Sequence, residues 1–117
     1  MDTLWEKIRR GLRDGASLSV EKIEEYSRIG KLKLDELAAK RKIERHLADI
    51  GQCVFDLIEE GKQGKAADSP LVRNAVTNVK ALREELSRIE QRIREVQEEA
   101  KRARADRKRT DEDVAGV

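Results

Sequence analysis

A chain of 117 residues is long enough for one domain, but its aromatic content of 3% (Trp5, Tyr26 and Phe55) excludes a large compact core. Charged residues make up 43%, against roughly a quarter in an ordinary globular domain; this suits long, narrow helices or disorder, and periodicity decides between the two. The 26 basic and 24 acidic groups nearly cancel to a net charge of +2, so bulk charge names no partner.

Residues 1–16 read as a short amphipathic helix. Thr3 and Glu6 have the spacing of a capping box, in which the Thr hydroxyl and the Glu carboxylate satisfy orphan backbone N–H groups. Leu4, Trp5, Ile8 and Leu12 share one face, surrounded by Lys7, Arg9, Arg10 and Arg13. Gly11, Gly15, Ser17 and Ser19 then predict a bend or break before a longer element.

Residues 17–109 read as an antiparallel helical hairpin with its loop at 61–69. The first helix, over 20–60, shows apolar positions at Val20, Ile23, Tyr26, Gly30, Leu34 and Leu37, resuming at Ile43, Leu47, Ile50, Val54 and Leu57. The ten-residue step from Leu37 to Leu47 is nearer three turns of a straight helix than a strict heptad, which predicts locally relaxed supercoiling. Gly61 stands where a helix-terminating glycine belongs, and Gly61 to Asp68 form the convincing mid-chain loop. Ser69 and Pro70 then supply a cap and a first-turn residue that needs no N–H.

The second helix, over 69–109, carries the clearest pattern in the chain. Val72, Ala75, Val79, Leu82, Leu86, Ile89, Ile93, Val96, Ala100 and Ala103 alternate in steps of three and four, as in a supercoiled helix. Both helices come to roughly 60 Å at 1.5 Å per residue, and a short loop between equal helices predicts an antiparallel pair. With the loop centred near Lys65, Leu57 is expected to face Arg73, Leu47 to face Leu82 or Arg83, and Gly30 to face Ala100. Residues 110–117 lack apolar periodicity and read as a disordered tail.

Near the loop the apolar stripe is wider than a two-helix seam needs. Leu47, Phe55, Ile58, Leu71 and Val76 are the expected association surface, completing the hairpin into a bundle by oligomerisation or by a partner helix. At the other end Lys101, Arg102, Arg104, Arg107, Lys108 and Arg109 form a basic tip, beside the cations of residues 22–33. Such a tip could attract nucleic acid or a ribonucleoprotein, although no aromatic platform or known motif accompanies it. The N-terminal anchor Leu4, Trp5, Ile8 and Leu12, within residues 3–13, could instead dock on the bundle, on a partner or weakly on an anionic membrane surface.

No catalytic, cofactor or metal site is expected. His46 and Cys53 are the sole histidine and cysteine, too few to complete a zinc site of N and S ligands. Gly61-Lys62-Gln63-Gly64-Lys65 has two residues between its glycines where a phosphate-binding loop has four, and Ala66 follows in place of Ser or Thr. The many carboxylates alternate with Lys and Arg at helical spacing, as on a solvated, ion-paired surface. The lone cysteine fits a reducing compartment, and neither a secretory leader nor a spanning run is legible, so the expected location is the cytoplasm.

Ile29-Gly30-Lys31-Leu32-Lys33, then Lys40-Arg41-Lys42-Ile43, and Ile50-Gly51 with Val54-Phe55, resemble a pattern in short, uncharacterised bacterial helical proteins. The resemblance covers about residues 20–60 and implies a bacterial origin and a helical unit, with no activity. Some such proteins carry a zinc ribbon after the pattern; this chain lacks the cysteines for one. Prefoldin-like and phasin-like proteins are similar in general coiled-coil build alone. Together these features predict a non-enzymatic, cytoplasmic coiled-coil scaffold, adaptor or assembly factor that self-associates or binds a protein partner. Nucleic-acid binding through the basic tip is the second reading and membrane-surface attachment the third.

Overall fold

The computed structural model describes Glu6, Arg9 and residues 20–115, with side chains placed as far as Thr110. Two long helices, α1 (Val20–Glu59) and α2 (Pro70–Ala115), are joined by a 3-10 turn (Gln63–Asp68) and pack as an antiparallel hairpin. There is no strand among the described residues. The chain divides into two compact units: a turn unit, Leu34–Glu90, and a terminal unit combining Met1–Lys33 with Gln91–Val117.

The joint between the helices follows from its glycine. Gly61 adopts a φ of 71°, a left-handed conformation in which a Cβ would be strained. There the Gly61 N–H donates to the Ile58 carbonyl and the Lys62 N–H to that of Leu57, so two carbonyls at the end of α1 are satisfied. At the start of α2, Pro70 occupies the first position, and the Arg73 N–H closes the first turn onto the Ser69 carbonyl at 3.0 Å. Arg73 also turns back over the joint, its Nε donating to the Ala67 carbonyl and its Nη2 meeting the Asp68 carboxylate at 3.1 Å.

The seam of α2 is the one expected from its spacing. Ala75, Val79, Ile93 and Val96 are buried, while Val72, Leu82, Leu86, Ile89 and Ala100 are half-buried; Ala103, the last of the series, is exposed. The helix continues to Ala115, so the tail expected to be disordered from residue 110 is helical as far as that residue. Helix-forming Arg, Lys and Ala residues carry it past Arg109, and the Thr110 hydroxyl donates to the Asp106 carbonyl one turn back.

The seam of α1 differs from the expected one. Val20, Ile23, Leu34, Leu37 and Leu47 are all exposed, Leu34 at 68%. Of the expected positions Tyr26, Gly30, Ile43, Ile50, Val54 and Leu57 are buried or half-buried, but the continuous series along the seam is Ile29, Leu32, Glu36, Ala39, Ile43, His46, Ile50, Cys53 and Leu57. These positions alternate in steps of three and four throughout, so the buried series crosses residues 37–47 without the ten-residue step from which relaxed supercoiling was expected. The longer leucines lost to Ala39, a small residue that lets two backbones approach, and to two polar residues whose stems pack at the seam.

The facing pairs shift accordingly. In the turn unit, His46 and Asp49 line a depression with Leu71, Asn74, Ala75 and Asn78, which places Leu47 near Val76 rather than Leu82 or Arg83. Cys53 Sγ lies 3.5 Å from Ser69 Oγ, so Leu57 sits beyond the start of α2 and does not face Arg73. In the terminal unit, Ala100 lines a groove with Glu25 and Arg28, and Arg28 pairs with Glu99, which puts Ala100 within about two residues of the expected Gly30. The joint between Glu59 and Pro70 has its middle at Gly64 and Lys65, as expected, but the six-residue 3-10 turn lies on its α2 side, so the pairing beside it is offset, with Cys53 rather than a later residue meeting Ser69.

Candidate interaction surfaces

The terminal unit is closed by charge across its apolar seam. Ile29, Ile93 and Val96 are buried, Val96 to 1% exposure. Around them Arg28 reaches Glu99 at 3.6 Å, Arg104 reaches Glu25 at 2.5 Å, and Arg107 pairs with Glu21, each joining α1 to α2. The Glu25 side chain is 10% exposed, which makes its pair with Arg104 the most sheltered of the three. Arg92 adds contacts to Glu95 and Glu99 along α2.

This network changes the basic tip. Lys101, Arg102, Arg104, Arg107, Lys108 and Arg109 are all exposed, as a cationic docking surface requires. Three of them, however, are already engaged with carboxylates: Arg102 with Glu98, Arg104 with Glu25 and Arg107 with Glu21. The sequence pattern of clustered cations could not show this, because the glutamates that meet Arg104 and Arg107 lie roughly 80 residues earlier in the chain.

The turn unit has a different surface. Its ion pairs lie within one helix or around the joint: Glu36 with Lys40, Glu60 with Lys62 and Asp68 with Arg73. Apolar side chains remain in solvent instead, with exposures of 45% for Leu47, 58% for Phe55, 55% for Ile58, 51% for Leu71 and 38% for Val76. The five expected association residues are therefore all accessible, but they do not form one patch. Leu71 belongs to the polar depression with His46, Asp49, Asn74 and Asn78. In an antiparallel pair with this seam, Leu47 and Val76 flank the opposite side of the hairpin, and Phe55 and Ile58 lie on the outer side of α1. Leu34 and Leu37, read from sequence as seam residues, join that outer surface.

The N-terminal anchor of Leu4, Trp5, Ile8 and Leu12 lies outside the described residues; Glu6 and Arg9 are helical and exposed. Among the described residues no group of His, Cys, Asp and Glu could hold a metal ion, and no helix is long and apolar enough to cross a membrane. Cys53 is a half-buried free thiol against Ser69. The two depressions, of about 210 and 370 Å³, are open grooves between the helices of one unit each. The chain matches no family model, no curated protein and no solved structure.

Proposed function

We propose that this chain is a non-enzymatic coiled-coil module of the cytoplasm that acts as a scaffold or assembly factor by binding other helices, beginning with copies of itself. The observation that carries this reading is the second apolar face of α1. The seam between α1 and α2 is already filled, yet Leu34, Leu37, Phe55 and Ile58 remain exposed on the same helix. Apolar surface left on a helix whose partner is already in place stabilises the free monomer little, whereas burying it against another helix gains roughly 25 cal/mol per Å². The engagement of Arg102, Arg104 and Arg107 by carboxylates favours this over recognition of nucleic acid by the basic tip.

The test is light scattering on a size-exclusion column, recording absorbance at 260 and 280 nm. The expected result is a multimer free of nucleic acid, whose mass falls to that of the monomer in Phe55→Asp and Ile58→Asp variants while helicity is retained. An unchanged mass in both variants would rule out this surface. A peak whose excess 260 nm absorbance is removed by salt would transfer the function to the basic tip.

A further inference from the structure

Resting on the reading of α1 as a self-association helix, we propose that two copies pair antiparallel through its outer face, in one register, about a two-fold axis between Arg41 and Glu44. The outer face is a second series in steps of three and four: Leu34, Leu37, Arg41, Glu44, Ala48, Gly51, Phe55 and Ile58. Every one of these residues is exposed. The series lies about 150° round the helix from the seam, so it is presented away from α2.

Read outward from its middle, this series is complementary to its own reverse. An axis between positions 41 and 44 brings Arg41 of each copy against Glu44 of the other, giving two oppositely charged contacts at the centre. Leu37 then meets Ala48, and Leu34 meets Gly51. Both leucines fall opposite a small residue, which a two-fold interface, where one patch must fit itself, requires. The flanking positions nearest the axis agree: Lys40 falls beside Leu47, whose exposed face the lysine stem can cover, and Ala38 falls beside Arg45, so no like charges meet at these two positions.

Two features of the single chain lack a role without this partner. Gly51 is in the body of α1, where glycine costs about 1 kcal/mol relative to alanine. A Cβ there would meet nothing within 4 Å and its φ is not left-handed, so nothing in the hairpin requires glycine. A leucine from a second copy does require it. Arg41 and Glu44 interrupt an apolar face and take part in no ion pair among the described residues. A charged layer inside an apolar helix interface fixes register and orientation at some cost in affinity, and a parallel pairing would set Arg41 against Arg41.

The experiment is sedimentation equilibrium of the full chain, with helicity followed by circular dichroism. Arg41→Glu and Glu44→Arg each place like charges at both central contacts, and each should weaken self-association by about tenfold or more. Mixed one to one, the two variants restore both contacts between chains while leaving each helix's own charges unbalanced, so a heterodimer of near wild-type affinity is expected. Gly51→Leu fills the notch and should weaken association while raising helicity. A label at Lys62→Cys in a Cys53→Ala background should report a distance of about 60 Å between copies, since each label lies 19 to 20 residues from the axis at 1.5 Å per residue.

A multimer indifferent to these substitutions overturns the α1 pairing and leaves self-association by another face standing. A label distance below about 30 Å overturns the antiparallel register, because only a parallel or joint-to-joint pair brings the turns together. A wild-type chain that stays monomeric at millimolar concentration overturns both this pairing and self-association.

Discussion

The two units hold the same pair of helices together by different means. In the terminal unit three ion pairs join α1 to α2 around Ile29, Ile93 and Val96. In the turn unit no ion pair among the described residues crosses the seam, and Leu34, Leu37, Phe55 and Ile58 stand in solvent. The contrast is not absolute, since Val20 and Ile23 are exposed in the terminal unit too. It still separates two uses of side chains. Charge across a narrow seam specifies which faces of two helices meet within a chain, whereas uncovered apolar surface is free to meet another chain.

Three substitutions, taken from the largest expected effect to the smallest, and one control would break or sharpen that contrast. Val96→Ala removes two methylene equivalents from the most buried side chain of the terminal unit and should cost about 2 kcal/mol in thermal or urea unfolding. Phe55→Ala is the control in the turn unit, and at dilutions where the chain is monomeric it should be nearly neutral. An equal loss in both variants would erase the difference between the units. Glu36→Leu replaces a half-buried carboxylate at a seam position of the turn unit and should raise stability by about 1 kcal/mol, despite losing the Lys40 pair. A lower melting temperature in that variant would mean that Glu36 is fixed by more than its place in the seam. Arg104→Gln removes the partner of Glu25 and should cost below 1 kcal/mol, an effect that shrinks in high salt because the arginine is 44% exposed.

Two helices, a joint at Gly61 and the α2 seam were legible from spacing alone, because Val72 to Ala100 alternate without a competing series. In α1 two apolar series coexist. Hydropathy favours Leu34, Leu37 and Leu47, whereas the seam uses Ala39 and admits Glu36 and His46. A reading that ranks positions by hydropathy therefore chooses the outer face for part of the helix and has to bridge it to the true seam with a ten-residue step. The signal was present as the unbroken alternation from Ile29 to Leu57, provided one Glu and one His are tolerated. Polar residues at a seam are costly in isolation, but their stems are apolar and the ends of a two-helix seam are near water. The association surface was legible in part. Phe55 and Ile58 stood out because they widen the stripe, but Leu71 was grouped with them although it lines a polar depression. Pairing of Arg104 and Arg107 with glutamates at the start of α1 depends on how the chain folds back and has no local signature.

The tight joint also bears on how the molecule is made. Gly61 reverses α1 within a few residues and α2 begins at Pro70, so the first seam contacts, such as Cys53 with Ser69, close a loop of 16 residues. Loop closure is least costly for near neighbours in sequence, and chains rich in such contacts fold fast. The turn unit is accordingly the natural nucleus. Stopped-flow measurement on Val96→Ala should find unfolding accelerated and refolding little changed, as expected for a residue that joins after the rate-limiting step. A chain that nucleates at the end carrying Phe55 and Ile58 presents its sticky face early, before its charged end has formed. On the ribosome that face would emerge ahead of the α2 segment that completes the hairpin, and neighbouring nascent chains could find one another while still being synthesised.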